Sequence, residues 1–256
     1  MGKSKFAICA LIKNEHRYLK EWIVYNLSIG FDEIFLYEDV GSESHNSITD
    51  KYKNVYLIPY SEVSRTEYDG KDFKQMDMVN HFLSLYKGDW VAFIDPDEYI
   101  RFADGYDLNK LTSEFHDENG VYLFWRMIGS CGRLQPVDTI QDSYHYEGHK
   151  IGNIFKKLRC KTLMNVNGRG GMRNIHKVRN GIYTNGNRVV HETIYDKAYI
   201  DHYFTKSFED WLERFEKRGD VVEGNRRMSE FFDVNPKERG RCIEYYERTR
   251  GKKFIW

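Results

Sequence analysis

Residues Trp90–Ile100 read WVAFIDPDEYI. Five mostly apolar residues run straight into Asp95, Asp97 and Glu98, three carboxylates set around Pro96. The apolar part has the length and composition of a strand covered on both faces. Carboxylates so close together repel one another, and placing them at a strand end costs stability unless a cation is present. Oxygen-rich corners suit hard divalent ions such as Mg2+ or Mn2+. An ion held by one or two carboxylates keeps positions open for substrate phosphates and neutralises charge as a diphosphate leaves. Pro96 limits how far the two aspartates wander. A plain polar turn after a strand explains the same residues, because D-x-D is a short and common pattern.

The residues upstream decide what kind of strand this is. Phe6–Ile12, FAICALI, is another continuous apolar run. Leu19, Trp22, Ile23, Asn26 and Leu27 recur at helical spacing, with Asn14 placed to cap and Gly30 to stop. Ile34–Tyr37 and Val55–Ile58 predict two further strands, the second ended by Pro59, with a short helix between them. The spacing of Met78, Val79, Phe82, Leu83 and Leu85 predicts a helix over 72–86, closed by Gly88. Strand and helix alternate up to Trp90, which predicts an α/β fold with a mostly parallel central sheet and helices on both faces. Parallel strands bring their carboxyl ends to one edge, and Asp95 and Asp97 lie there.

Past Ile100 the pattern loosens. Leu108–Phe115 predicts a short helix and Val121–Met127 a strand, whereas 129–186 is rich in Gly, Asn and basic residues with little period. Ser207 and Asp210 form a capping-box pattern at the start of a helix through Trp211, Leu212 and Phe215. From Pro236 the chain is basic and amphipathic to its end, RTRGKKFIW. The 256 residues are 41% hydrophobic and 16% aromatic, enough for one large globular domain. Lys+Arg and Asp+Glu both number 39, so no net field recruits nucleic acid. Cys9, Cys131, Cys160 and Cys242 form no CxxC pair, which disfavours a zinc or disulfide framework and suits reduced thiols in the cytoplasm. The N-terminal apolar run is short and broken by Lys13, Asn14 and Glu15, so neither a signal peptide nor a membrane span is expected.

Three segments together carry a resemblance: Ile8–Glu43, ICALIKNEHRYLKEWIVYNLSIGFDEIFLYEDVGSE; Trp90–Ile100; and His202–Gly219, HYFTKSFEDWLERFEKRG. In this order and spacing the chain resembles the family-2-type glycosyltransferases, on the branch related to family 92, over about Phe6–Gly219. The resemblance implies a GT-A, Rossmann-like domain over 1–256. Its residues 1–100 would bind a nucleotide-diphospho-sugar, 101–219 the acceptor side, and 220–256 a basic helical tail. It implies a metal-dependent, inverting hexosyltransferase with a uridine-diphosphate-linked donor, Mn2+ or Mg2+, and a glycan or lipid-linked acceptor in cell-surface polysaccharide synthesis. Matched position by position, Asn14, Glu15, Glu38 and Asp39 would hold the nucleotide. Asp97 would ligate the metal, Asp95 would reach the ribose or the metal's water shell, and His202 would supply a distant third ligand. Lys206 would face the diphosphate.

Inverting transfer also needs a base for the acceptor hydroxyl. The Glu-Asp pair that supplies it in many relatives is not present, and Glu147 is the residue assigned here, with His145, His149, His176, His191 and Glu192 as other candidates. Trp125, Tyr144 and Tyr146 read as core, surface turn or sugar platform. The tail reads either as a packed last helix or as a peripheral contact with the inner membrane face through Phe254, Ile255 and Trp256. Two other functions fit the pattern less well. A non-catalytic carbohydrate-binding protein on this fold has no reason to keep Asp95, Asp97 and His202. A nucleotidyltransferase needs a Gly-rich loop after the first strand, where this chain has IKNEHRYLKEW.

Overall fold

The computed structural model describes residues 4–64, 67–68, 71–72, 74–145, 159–184, 186, 196–217 and 228–254. The chain forms two compact units, one from residues 1–125 with 159–200 and the other from residues 126–158 with 201–256.

The apolar run Phe6–Ile12 is β1, followed by α1 (His16–Ser28), β2 (Glu33–Glu38), α2 (Asn46–Thr49) and β3 (Val55–Pro59). A short hairpin, β4 (Glu67–Tyr68) and β5 (Lys71–Asp72), precedes α3 (Lys74–Leu85). Then come β6 (Trp90–Phe93), β7 (Glu98–Phe102), α4 (Leu108–Glu114), β8 (Gly120–Met127) and the single turn α5 (Ile140–Ser143). They are followed by β9 (Cys160–Asn165), β10 (Met172–Asn174), β11 (Lys177–Val178), β12 (Ile182–Tyr183) and β13 (Ala198–His202). The helices α6 (Phe208–Lys217), α7 (Met228–Val234) and α8 (Arg239–Arg250) complete the order.

Among the described residues nine strands make one sheet in the order β3-β2-β1-β6-β9-β8-β13-β7, with β12 beside β8. The α/β class stands. The first four strands in that order run parallel, as the alternation predicts. Beyond β6 the sheet changes sense, because β9 inserts antiparallel to both β6 and β8. β7, for which the sequence pattern predicts no element, is a strand of its own with Glu98, Tyr99 and Ile100 buried.

β1 is dry on both sides, which is why its sequence does not alternate. Ala7 and Cys9 share a core with Tyr37, Met78, Phe82, Val91 and Phe93. Phe82 of α3 meets Phe35 and Phe93 edge-on at 5.0 and 5.9 Å. Phe6, Ile8, Ala10 and Ile12, at the alternate positions, are equally buried and point to the other face. α1 buries Leu19, Trp22 and Ile23 and is tied to β7 by two side-chain bonds. Trp22 Nε1 donates to the Glu98 carbonyl at 2.9 Å, and the Tyr25 hydroxyl donates to the Ile100 carbonyl. Gly30, at φ +110°, lets the chain leave α1 and turn into β2.

In the second unit, α6 starts on the predicted capping pattern. Ser207 Oγ donates to Asp210 Oδ2 at 2.7 Å and accepts from the Asp210 amide at 3.0 Å. Phe208 packs its ring against Phe231 at 5.1 Å, and Phe254 lies against Phe232 and Tyr246. The last helix and Phe254 are therefore part of an aromatic core, as the packed-helix reading of the tail expects. Ile255 and Trp256 lie outside the described residues. Among the described residues no helix is long and apolar enough to cross a membrane.

Trp22 is the side chain that fastens α1 beneath the acidic turn. Trp22→Phe removes the donor to the buried Glu98 carbonyl, and a loss of about 1–3 kcal/mol is expected. Trp22→Ala adds a cavity and raises the loss to about 3–5 kcal/mol. Urea unfolding followed by circular dichroism measures both, and equal stability of Trp22→Phe and the parent would refute the role of the indole N–H.

Candidate active site

The turn after β6 is closed by its own backbone and by Glu98. The Glu98 amide donates to the Asp95 carbonyl at 3.0 Å, and the Asp95 amide donates to Glu98 Oε2 at 3.0 Å. Glu98 is completely buried and Asp97 is 6% exposed, while the Asp95 side chain is 34% exposed. The cation that makes this tolerable comes from the chain itself. Lys161 of β9, 1% exposed, places Nζ 2.8 Å from Asp95 Oδ2 and 3.7 Å from Glu98 Oε2.

Burial alone would push the Lys161 ammonium toward neutrality, but the charges of Asp95 and Glu98 outweigh it and its pKa rises. Burial lifts the Glu98 carboxyl well above the usual range, and Lys161 opposes this without cancelling it. Glu98 is the drier and more distant partner, and its Oε1 is buried without a hydrogen bond. Asp95 and Lys161 thus form the close ion pair, and Glu98, its carboxyl pKa raised by burial, lies beside them.

His176 stands behind the same corner. Its Nδ1 lies 3.2 Å from the Cys160 carbonyl, which only accepts, so Nδ1 carries the proton and Nε2 the lone pair. Burial, with repulsion from Lys161, lowers its pKa to about 4. Trp125 meets the ring edge-on at 5.6 Å and is half-buried.

The loops after β1 and β2 come together at the same parallel edge. Asn14, expected as a helix cap or a ligand contact, does not cap α1; Glu15 occupies the N-cap position, without a side-chain bond. Asn14 instead sits at φ +53° and staples the next loop, accepting from the Glu43 amide at 3.0 Å and from Ser42 Oγ at 3.3 Å. The Glu15 amide donates to His45 Nε2 at 3.0 Å. His45 must therefore carry its proton on Nδ1, which donates to Glu38 Oε1 at 2.7 Å. Glu38 Oε1 also accepts from the His45 amide at 2.8 Å. His16 stacks on His45 with ring centroids 4.0 Å apart. Asp39 accepts from Lys74 Nζ at 3.2 Å and faces Lys13 Nζ at 3.8 Å.

Asn14, Glu15, Glu38, Asp39, Asp95 and Asp97 all belong to the first unit, Glu38 as the last residue of β2 and the others on the loops that leave β1, β2 and β6. His202, at the end of β13, and Lys206 belong to the second unit and are 4% and 3% exposed. Lys206 adopts a left-handed backbone, φ +52°, a strained conformation for a lysine. Tyr144, half of the tyrosine pair weighed as a sugar platform, is buried. Glu147, Tyr146, His149, His191 and Glu192 lie outside the described residues. Sequence reading passed over Lys161, Lys13, Lys74 and His45. Lys161 was the hardest to find, because its strand lies in the stretch without clear period.

No family model matches the chain. Over 120 residues, 46% of its length, it is 26% identical to a glycosyltransferase family 92 protein of Ricinus communis, of which the match covers 21%. A family 92 protein of Oryza sativa subsp. japonica is 25% identical over 114 residues, 42% of this chain and 18% of that one. The resemblance read from the three motifs is thus to the same family, although the match spans only about a fifth of each relative. Among solved structures, glucosyl-3-phosphoglycerate synthase from Mycobacterium tuberculosis, in complex with Mn2+, uridine diphosphate and phosphoglyceric acid, overlaps 48% of this chain and 44% of its own. The identity is 17% and the TM-score 0.34. A complex of the same synthase with Mg2+ and uridine diphosphate has 16% identity and a TM-score of 0.32.

Among the described residues no group of three or more His, Cys, Asp or Glu could hold a metal ion by itself. The donor set nevertheless fits an ion shared with a phosphate ligand. Mg2+ and Mn2+ sites of that kind use one or two carboxylates, and Asp95 keeps Oδ1 beyond its bond to Lys161.

His45 and His176 are both neutral, and burial depresses both their pKa values. An unfolded histidine titrates near 6.5. Below that pH the unfolded chain binds protons that the folded chain refuses, so stability falls with pH from about 6.5 down toward 4. Thermal unfolding at pH 7.5, 6 and 5 is expected to show this decline, and His45→Asn is expected to flatten it. An unchanged slope in that variant would remove His45 from the account.

Proposed function

We propose that this chain is a glycosyltransferase of the GT-A type that moves a sugar from a nucleotide-diphospho-sugar, uridine-linked, to a glycan or lipid-linked acceptor in cell-surface polysaccharide synthesis. One observation carries the reading. Three loops, leaving adjacent parallel strands at one sheet edge, bear Asn14–Glu15, Glu38–Asp39 and Asp95–Asp97. That edge is where open α/β sheets bind nucleotides. Similarity to two family 92 proteins supports it.

In this reading the loops after β1 and β2 hold the nucleoside. Glu38 Oε1 is fixed by His45, which leaves Oε2 to accept a ribose hydroxyl. Lys13 and Lys74, beside Asp39, offer positive charge to the phosphates. Asp97, Asp95 and His202 would hold Mn2+ or Mg2+, which when bound neutralises diphosphate charge as a Lewis acid. Lys206 would face the diphosphate, and Glu147 would take the proton of the acceptor hydroxyl as that oxygen bonds the anomeric carbon from the opposite face, while the bond from that carbon to the diphosphate oxygen breaks and the nucleoside diphosphate leaves. The whole chain acts as one catalytic domain, in the cytoplasm or on the inner membrane face.

A ligand that binds only the folded state raises apparent stability by an amount set by its concentration over Kd. Uridine diphosphate is expected to raise the Tm by a few degrees with Mn2+ present and not without it. Asp97→Ala is expected to abolish the rise while leaving the unliganded melt within about 1 kcal/mol. Stabilisation of equal size in Asp97→Ala would overturn the assignment.

A further inference from the structure

We infer that Lys161 is a resident cation that keeps a bare divalent ion off Asp95, so that the metal joins this site only together with a diphosphate. This rests on the acidic corner being the metal and diphosphate site.

Three observations lead to it. Lys161 Nζ bonds Asp95 Oδ2 at 2.8 Å and lies 3.7 Å from Glu98 Oε2, so one oxygen of each carboxylate already faces a positive charge. The ammonium is 1% exposed and cannot swing out to solvent without unpacking β9. That strand is held on both sides, against β6 through Val91↔Met164 and against β8 through Leu123↔Lys161. A bare divalent ion approaching Asp95 therefore meets a fixed like charge already paired with the same carboxylate through Oδ2. An ion that arrives with a diphosphate carries compensating negative charge and is repelled far less. Lys161 is a positioning residue here, since it sets which species the aspartates accept without touching the transferred sugar.

The test reads metal binding and not turnover. Free Mn2+ is followed by electron paramagnetic resonance as protein is added, with and without uridine diphosphate. The unsubstituted protein is expected to bind Mn2+ at least about tenfold more weakly without the nucleotide than with it. Lys161→Gln removes the charge but fills the space. It is expected to bind bare Mn2+ about tenfold more tightly than the parent, and Asp95→Asn added to it is expected to cancel the gain. Lys161→Arg keeps the charge and is expected to bind bare Mn2+ as the parent does. Lys161→Met is the second uncharged variant, and a native melt qualifies each protein before titration. A folded uncharged variant with no gain overturns the inference, and so does equal Mn2+ binding by the parent with and without nucleotide where a thermal shift shows that uridine diphosphate binds. Failure of uridine diphosphate to bind at all would sink the glycosyltransferase reading alone, because the comparison of bare Mn2+ affinities needs no nucleotide.

Discussion

The ion pair between Lys161 and Asp95, with Glu98 beneath it, is the constraint on which the sheet edge depends. β6 is driven into the core by four buried residues, and its end carries three carboxylates in four positions. Without a partner that turn would expel itself toward water. Two elements from different parts of the chain prevent this. α1 bonds the carbonyls of Glu98 and Ile100 from one side through Trp22 and Tyr25. β9 brings the ammonium. Its antiparallel register pairs Leu163 with Ala92, so Lys161 lies two residues further along the same face, level with the end of β6. The change of sense in the sheet after β6 is thus tied to the charge it delivers.

The neighbouring loops show the same economy in uncharged form. Asn14 accepts a backbone amide from the loop after β2, and His45 accepts one from the loop after β1. Each loop thus satisfies a donor of the other, and the fully buried His45 fixes Glu38 at the meeting point. A left-handed asparagine is tolerated there because its short side chain supplies the local bond. Groups so held do not have to be ordered when a ligand arrives, and binding keeps the free energy that ordering would consume.

What could be read from sequence follows from burial. β1, β2, β3 and β6 are continuous apolar runs with turn residues at their ends, and their limits fall within a residue or so of the expected ones. α3 begins at Lys74, two residues later than its apolar spacing suggests, because Lys71–Asp72 belongs to a hairpin. β9 was not legible. Its residues alternate Cys160, Thr162 and Met164 with Lys161, Leu163 and Asn165, so neither face is uniformly apolar, and all but Asn165 are nevertheless buried. A buried lysine in a strand reads as a surface residue until its partners, more than sixty positions away, are brought beside it. The acidic corner was legible and its counter-ion was not, since an acidic run shows in one line of sequence and a long-range pair does not. Asn14 was ambiguous for a related reason: asparagine after a strand serves equally as a helix cap or a loop staple.

The carboxylates at this edge do not stand in open charge. Asp39 lies between Lys13 and Lys74, Asp95 against Lys161, and Glu38 against His45. The lysines on Asp39 and Asp95 lower the self-repulsion that an acidic edge would otherwise impose on the fold, and His45 gives Glu38 a hydrogen bond. Pairing also changes what recognition consists of. An anionic ligand with hydroxyls, such as a nucleoside diphosphate, gains little from a site of bare carboxylates, but it can exchange partners in a site of pairs. Its phosphates can take Lys13 and Lys74 and its hydroxyls the carboxylates these release, while Lys161 stays with Asp95. Each displaced charge thereby gains a new polar partner, so part of the desolvation already borne by the folded protein is not borne again on binding. A neutral sugar alone offers no such exchange. The edge thus presents paired charges of both signs, which a ligand carrying phosphates and hydroxyls can exchange.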